Sequence, residues 1–259
     1  MQSITLTKSR VAHAVAAVVL ALGSGHVLAA GFALQENSGS GLGNAYAGGA
    51  AVAEDASTIW ANPAGMSLIK SNQVVGAINL ITPSMKFSNG SSVAATNQPL
   101  GGDGGDAGSL NVVPNLYVLI PVARDWTFGL GINVPFGLVT EYDGGWLGRY
   151  QALKSDVKTI NINPSIAWQV SPSLSLGAGV SYQQIKGTFT SNVNYSGALL
   201  RAAAQNGIAP GSPTFNAIAG STPALDSFAS ISGDDWSWGW NVGALWQINA
   251  SNRIGVYWR

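Results

Sequence analysis

The sequence predicts an all-β protein: the wall of a transmembrane antiparallel β-barrel with an N-terminal plug of short helices and loops. Three observations carry that prediction. Several segments alternate between bulky apolar and small polar residues. Only 9% of the 259 residues are charged, yet mean hydropathy is just +0.20. The connections between alternating segments are short and long in turn. A soluble domain carries about 25% charged residues. Low charge without long apolar runs suits a wall with lipid outside and uncharged polar groups inside.

The chain opens with Lys8 and Arg10, an apolar run from Val11 to Leu22, and then small residues, with Val27 and Ala29 in a small-x-small pattern. This reads as an export signal over residues 1–29. The alternative, a membrane anchor, needs about 20 apolar residues and the run is shorter. Removing the signal leaves 230 residues, with ten cations against twelve acids, a net of −2. That balance excludes only a strongly basic nucleic-acid surface. Without cysteine there is neither disulfide nor thiolate chemistry. Both histidines, His13 and His26, fall in the signal. The mature chain therefore lacks the commonest general base and metal ligand, which argues against an enzyme such as a lipase. No cofactor and no metal are expected.

Residues 30–72 form the expected plug. Ala30 to Met66 reads AGFALQENSGSGLGNAYAGGAAVAEDASTIWANPAGM, rich in Gly, Ala and Ser and without strand alternation. Such a segment buries too little area to fold alone and needs surroundings supplied by a wall. GSGLGNAY misses the dinucleotide fingerprint at its third glycine and follows no strand.

The wall is expected over residues 73–259. Its first two strands, Gln73–Phe87 and Val112–Pro121, alternate least cleanly. The third sets Trp126, Phe128, Leu130, Ile132, Val134 and Phe136 against Thr127, Gly129, Gly131 and Asn133. The fourth sets Ile160, Ile162, Ile166, Trp168 and Val170 against Thr159, Asn161, Asn163, Ser165 and Gln169. The fifth, from Leu174 to about Thr190, alternates well up to Tyr182. The sixth places Trp236, Trp238, Trp240, Val242, Ala244, Trp246 and Ile248 on one face. A seventh carries Ile254, Val256 and Trp258 toward lipid. In a sandwich the apolar faces would meet a second sheet, but lipid serves equally well.

Short links at Ala123–Asp125, Ser171–Ser173 and Asn249–Asn252 alternate with long ones at Ser88–Asn111, Gly137–Asp156 and Ser191–Asp235. Outer-membrane barrels sort their turns in this way, and a sandwich has no reason to. Trp126, Trp168 and Trp246 sit by the short links, where an interfacial girdle belongs. In the longest link, GALLRAAAQNG has the composition of a short helix. Leu199, Leu200, Ile208, Phe215 and Ile218 there either fold the loop on itself or form a groove for a greasy ligand. LGGDGGDAG, with Asp103 and Asp106, is a single copy of what calcium folds repeat, so it reads as a solvated loop. Lys158, Arg253 and Arg259 are expected on the lumen side. There they meet water and plug acids such as Glu54 and Asp55, or attract a passing carboxylate.

These residues resemble a known family. The stretch Ala30–Met66, with Asn62-Pro63-Ala64 and the mature start Ala30-Gly31-Phe32, is similar to the N-terminal hatch of the FadL/TodX outer-membrane transporters of long-chain fatty acids and other hydrophobic compounds. VPNLYVLIPVARDWTFGLGINVPFGLVTEYD and DDWSWGWNVGALWQINASNRIGVYWR are similar to that family's early wall strands. The resemblance implies a barrel of about fourteen strands with the hatch in its lumen. It implies capture of hydrophobic molecules at extracellular loops and release sideways through a gap at a kinked third strand. It assigns Asn62, Pro63 and Ala64 to the hatch motif, Phe32 to the inner binding region, and the kink to Asn133, Val134, Pro135 and Phe136. A proline inside a strand withholds a ladder hydrogen bond, although Pro135 also fits the end of a strand entering a loop. The implied setting is the outer membrane of a Gram-negative-type cell, with outer-membrane lipid as partner, no nucleic acid and a monomeric complete protein. About seven strands are present, and a sheet of seven leaves two open edges. The expectation is an N-terminal part of a longer protein or a truncated gene product. The alternative function is a structural or adhesive outer-membrane barrel.

Overall fold

In the computed structural model the alternating segments are strands of one antiparallel sheet, and the described residues are 33–93, 100–221 and 226–259. The expected signal, the start Ala30-Gly31 and Phe32 lie outside them. Among the described residues three short helical turns come first: α1 (Gly39–Gly43), α2 (Thr58–Ala61) and a 3-10 helix over Pro63–Leu68. Ser38 caps α1, its hydroxyl accepting from the Gly41 N–H (3.1 Å). Asn62 ends α2 and caps the 3-10 helix, accepting from the Ala64 N–H (3.0 Å). Pro63 sits at the first position of that helix, where its missing N–H is no loss.

The strands are β1 (Gln73–Ile81), β2 (Asn111–Pro121), β3 (Trp126–Asn133), β4 (Gly137–Glu141), β5 (Lys154–Ser171), β6 (Leu174–Val193), β7 (Ser227–Asn249) and β8 (Asn252–Trp258). The sheet runs β1-β2-β3-β5-β6-β7-β8, with β4 also on β5. Four expectations change. The first strand stops at Ile81 rather than Phe87, and the chain beyond it joins the loops, where the Ala107 N–H donates to the Met85 carbonyl. The third strand is not continuous to Phe136 but breaks after Asn133. The expected loop Gly137–Asp156 holds β4 and the start of β5. The expected loop Ser191–Asp235 is shorter, because β6 and β7 stay paired out to Val193↔Ser227.

One face of the sheet carries the hatch and the other is apolar. Across the sheet the outer face repeats in rows: Trp126–Trp168–Leu176–Ala244–Val256, then Phe128–Ile166–Ala178–Val242–Trp258. Trp126 and Trp168 stack at 5.4 Å beside the short turns. The hatch-side face is small and polar, with Asn133, Asn161, Asn163, Ser165 and Asn241 buried. Asn161 Nδ2 donates to Asn133 Oδ1 (2.9 Å), and Asn163 Nδ2 to Asn241 Oδ1 (2.9 Å).

Ile59, Ala56 and Met66 of the hatch form an apolar core with Tyr117 and Leu119 of β2 and Ala167 of β5. The inner face of β2 is therefore apolar too, which blurs its alternation. Elsewhere the wall yields to the hatch through glycine. A Cβ on Gly129 would strike Met66 and Ile59, one on Gly177 would strike Pro63 and Ala64, and one on Gly243 would strike the Asn62 side chain. On Gly255 it would strike the Ala50 carbonyl. The small parity of these strands is the imprint of the hatch.

Among the long connections, the one after β6 contains α3 (Tyr195–Gln205) and α4 (Pro213–Ser221). The Gly/Asp stretch is a turn-rich loop. Gly101 (φ +99°) and Gly104 (φ +84°) take left-handed backbone, where a Cβ would strike the Gly145 carbonyl from the first and the Trp146 side chain from the second. Asp106 caps that loop, accepting from Ser84 Oγ (2.7 Å) and the N–H groups of Met85 (2.8 Å) and Gly108 (3.0 Å). Led by the Ser84 hydroxyl, these bonds lower its pKa to about 2.

Candidate functional site

The ladder between β2 and its neighbour fails halfway up. β2 pairs with β3 only from Leu116↔Ile132 down to Pro121↔Thr127, while its pairing to β1 runs the whole way from Asn111 to Leu119. Asn111–Asn115 thus have no strand partner on the β3/β4 side. The cause lies opposite. Asn133 pairs with Asn161, and the next pair is Gly137 with Lys158. Val134, Pro135 and Phe136 therefore face only Thr159 and Ile160, which is one residue too many. Period-two alternation means that one extra residue exchanges the faces of everything beyond it. Leu138, opposite inward Val157, now points to the hatch side.

Thr159 holds the bulge. Its hydroxyl accepts from the Phe136 N–H (2.9 Å) and donates to the Phe136 carbonyl (2.7 Å), standing in for ladder bonds. The start of the hatch lies across the inner side of the break and touches both lips. On one lip the Leu34 N–H donates to the Pro135 carbonyl (2.9 Å) and Ala33 bridges Phe136. On the other, Asn115 Nδ2 of β2 (3.0 Å) and Asn79 Nδ2 of β1 behind it (2.6 Å) donate to the Glu36 carbonyl, and the Tyr117 hydroxyl to that of Asn37 (2.9 Å). Pro135 is buried. The four expected kink residues thus come together at one place in the wall.

Toward the long connections, the hatch-side face changes character. Past Thr159 and Ser181 it carries Leu138, Val157, Ile185, Phe189 and Ile231, the last three 48%, 49% and 73% exposed. The sequence carried a signal for this patch: alternation in β6 fades after Tyr182, where both faces become mixed.

The other expected residues fall elsewhere. Asn62, Pro63 and Ala64 are buried against the wall. Asn62 Nδ2 donates to the carbonyls of Ala50 (2.6 Å) and Ala244 (3.1 Å). Arg253 does face the hatch, but it is committed there. Its Nη1 donates to the carbonyls of Ala51 (2.9 Å) and Val52 (3.1 Å), and its Nε to Gln247 (2.7 Å), rather than to Glu54 or Asp55. Arg259 donates to the Trp60 carbonyl (3.3 Å) and Asn163 Oδ1 (3.1 Å).

Lys158 is not on the lumen side. It shares the parity of Ile160 and Ile162 and lies on the outer face, 3.0 Å from Asp156. Leu200 and Phe215 are fully buried between α3 and α4 with Ala219, and Ile208 and Ile218 pack against them. Those apolar groups close the loop on itself, and only Leu199, at 45%, is open to the surface. The start of α3 is tied to Asp226, whose carboxylate accepts from Ser196 Oγ (2.7 Å) and the Tyr150 hydroxyl (2.6 Å). Burial raises the pKa of Asp226, and these bonds outweigh it, leaving a net lowering.

The model for outer membrane protein transport proteins (OMPP1/FadL/TodX) matches residues 20–259. Outer membrane protein P1 of Haemophilus influenzae is 36% identical over 258 residues, which cover 93% of this chain and 55% of that protein. The long-chain fatty acid transport protein of Escherichia coli O6:H1 (strain CFT073) is 32% identical over 248 residues, 94% of this chain and 53% of that one. The chain spans about half the length of the curated relatives it matches. Among solved structures, a Pseudomonas aeruginosa FadL homologue superimposes with a TM-score of 0.64 at 24% identity, over 86% of this chain and 51% of that one. A TodX deltaS2S3 mutant, a monoaromatic hydrocarbon channel, gives 0.55 at 18%, over 78% and 50%. At these identities the likeness is one of fold.

Proposed function

Because the chain belongs to the OMPP1/FadL/TodX family of outer membrane transport proteins, we propose that it serves passive uptake of hydrophobic molecules, which leave the lumen sideways through the break between β2 and β4. The wall has the right height for its setting. From Trp168 to Ile160, β5 rises about 27 Å at the usual strand spacing. At a tilt of about 40° that gives about 21 Å, close to the apolar band of outer-membrane barrels.

The observation that carries the reading is the broken ladder itself. Unpaired backbone cannot face hydrocarbon at tolerable cost unless it lines a cavity or is covered, and here the hatch segment Ala33–Asn37 covers it from inside. The patch of Leu138, Val157, Ile185, Phe189 and Ile231 beside it, with Asp235 opposite Ile185, gives a greasy molecule apolar contacts on its approach. The polar, hatch-filled lumen below offers none. Entry past the long connections, transit over this patch and exit through the break need no energy source beyond the transfer of apolar surface from water. Fatty acids and monoaromatic hydrocarbons, named for its relatives, are the two substrate classes to compare. A structural or adhesive barrel would gain nothing from a hole in its wall.

Deleting Pro135 removes the surplus residue and puts Gly137 into the register of β3, closing the ladder. Uptake of labelled oleate or toluene should fall severalfold or more while surface expression and heat-modifiable gel mobility persist. Pro135→Thr, which restores one donor and keeps the bulge, should give a smaller loss. Undiminished uptake of both probes in the normally expressed deletion variant would mean that substrate leaves elsewhere.

A further inference from the structure

The outer face of the wall changes abruptly one row above the break. Ile162, Tyr182 and Trp238 form one row, then Ile160, Gln184 and Trp236 the next, with Tyr182 stacked on Trp236 at 4.5 Å. The row above holds Lys158, Lys186 and Asp234, with Gly137 beyond Lys158. Two lysines therefore stand directly opposite each other where the apolar band ends. Aromatic side chains mark the interface, so this row lies in the headgroup layer.

We infer that Lys158 and Lys186 form a site for the phosphate group of an outer-leaflet lipid headgroup. Directly opposed residues have Cβ atoms about 5 Å apart, and like charges so placed repel. A dianionic phosphate between the ammonium groups turns that repulsion into attraction from both sides. Neighbouring acids match the two lysines in number but leave the Lys186 ammonium without an ion pair. Asp156 serves Lys158, whose side chain remains 64% exposed. Asp234 lies opposite Lys186 but beyond ion-pair distance, with Gln184 donating to it (3.3 Å), and Glu141 is engaged by Lys154 (2.9 Å). Among the described residues Lys186 has no ion pair within 4.0 Å. Gly137 puts no side chain of its own on the flank of Lys158, and Leu34 Cδ1 lies 3.5 Å from where its Cβ would stand. A lipid there would seal the outer side of the wall just above the break. The inference rests on the outer-membrane setting of the wall and on no particular substrate.

The test uses protein extracted from outer membranes and measures binding by native mass spectrometry and thermal shift, independently of uptake. The probes are bisphosphorylated lipid A, its dephosphorylated form, inorganic phosphate and oleate. At about 1 kcal/mol per lysine near a charged surface, the double variant Lys158→Gln/Lys186→Gln should bind lipid A about thirty-fold more weakly. The dephosphorylated form should bind both proteins alike, and Lys158→Arg/Lys186→Arg should restore lipid A affinity. Unchanged lipid A binding in the double Gln variant overturns the site. Inorganic phosphate displacing lipid A at equal concentration overturns the lipid as its source. Oleate that distinguishes the two proteins while lipid A does not assigns the lysines to a carboxylate instead.

Discussion

Replacing Asn62 with alanine should undock the hatch. Asn62 is 1% exposed and joins three pieces of chain: it caps the 3-10 helix, donates to Ala50 within the hatch and donates to Ala244 in the wall. Loss of the cap costs about 0.5–2 kcal/mol. Loss of the two carbonyl contacts costs about 0.5–1.5 kcal/mol each. Together the change is about 1.5–5 kcal/mol, which raises the undocked fraction about ten-fold to a few-thousand-fold at tenfold per 1.4 kcal/mol. A lumen briefly without its plug conducts ions. Recordings in planar bilayers should therefore show openings in the variant that the parent lacks, and cells should become more sensitive to bulky antibiotics. Asn62→Asp keeps the capping acceptor but turns both donors into acceptors facing carbonyls, so it should leak as well. Conductance and antibiotic sensitivity equal to the parent in both variants, at equal expression, would refute the docking argument.

Gly243→Val should act on the same contact from the wall side. It overpacks Asn62 by about 1–3 kcal/mol, and limited proteolysis should then cut within residues 33–66 while the strands stay protected. Phe215→Ala should destabilise the α3–α4 pair by about 3–5 kcal/mol and expose residues 194–226 to protease without increasing conductance. Asp106 has a lowered folded-state pKa, so its contribution is complete above the ordinary carboxylate range and fades as pH falls from about 4 to about 2. Hydrogen exchange at Met85 and Gly108, corrected for the intrinsic pH dependence, should accelerate over that window, and Asp106→Asn should show the faster rate already at neutral pH.

The parts legible in the sequence are those where one face is apolar and the other is not. Trp126–Asn133 and Thr159–Val170 meet that condition because their inner sides hold only small or amide residues against the hatch. β2 is harder to read, since Tyr117 and Leu119 point inward to Ile59 and Met66. The far ends of β6 and β7 are harder still, since Ile185, Phe189 and Ile231 make the inner face apolar as well. The break at Pro135 hides for a different reason. Val134 and Phe136 continue the even-numbered apolar series as if the strand ran on, and only the register of the partner reveals the surplus residue. Lys158 was decidable from its own strand, because Ile160 and Ile162 share its parity. Leu200 and Phe215 could not be assigned, because no periodicity in a loop says whether apolar groups face each other or a visitor.

The surplus residue also makes the break in the ladder an integer property. Side-chain substitutions grade an interaction by degrees, but a strand has either one residue more than its partner or it does not. A single in-frame codon loss between Asn133 and Gly137 would convert an interrupted wall into a sealed one, and a single codon gain would reopen it. If substrate leaves there as proposed, selection can trim the lining gradually, through positions such as Thr159 or Leu34, yet the break itself is decided in one mutational step.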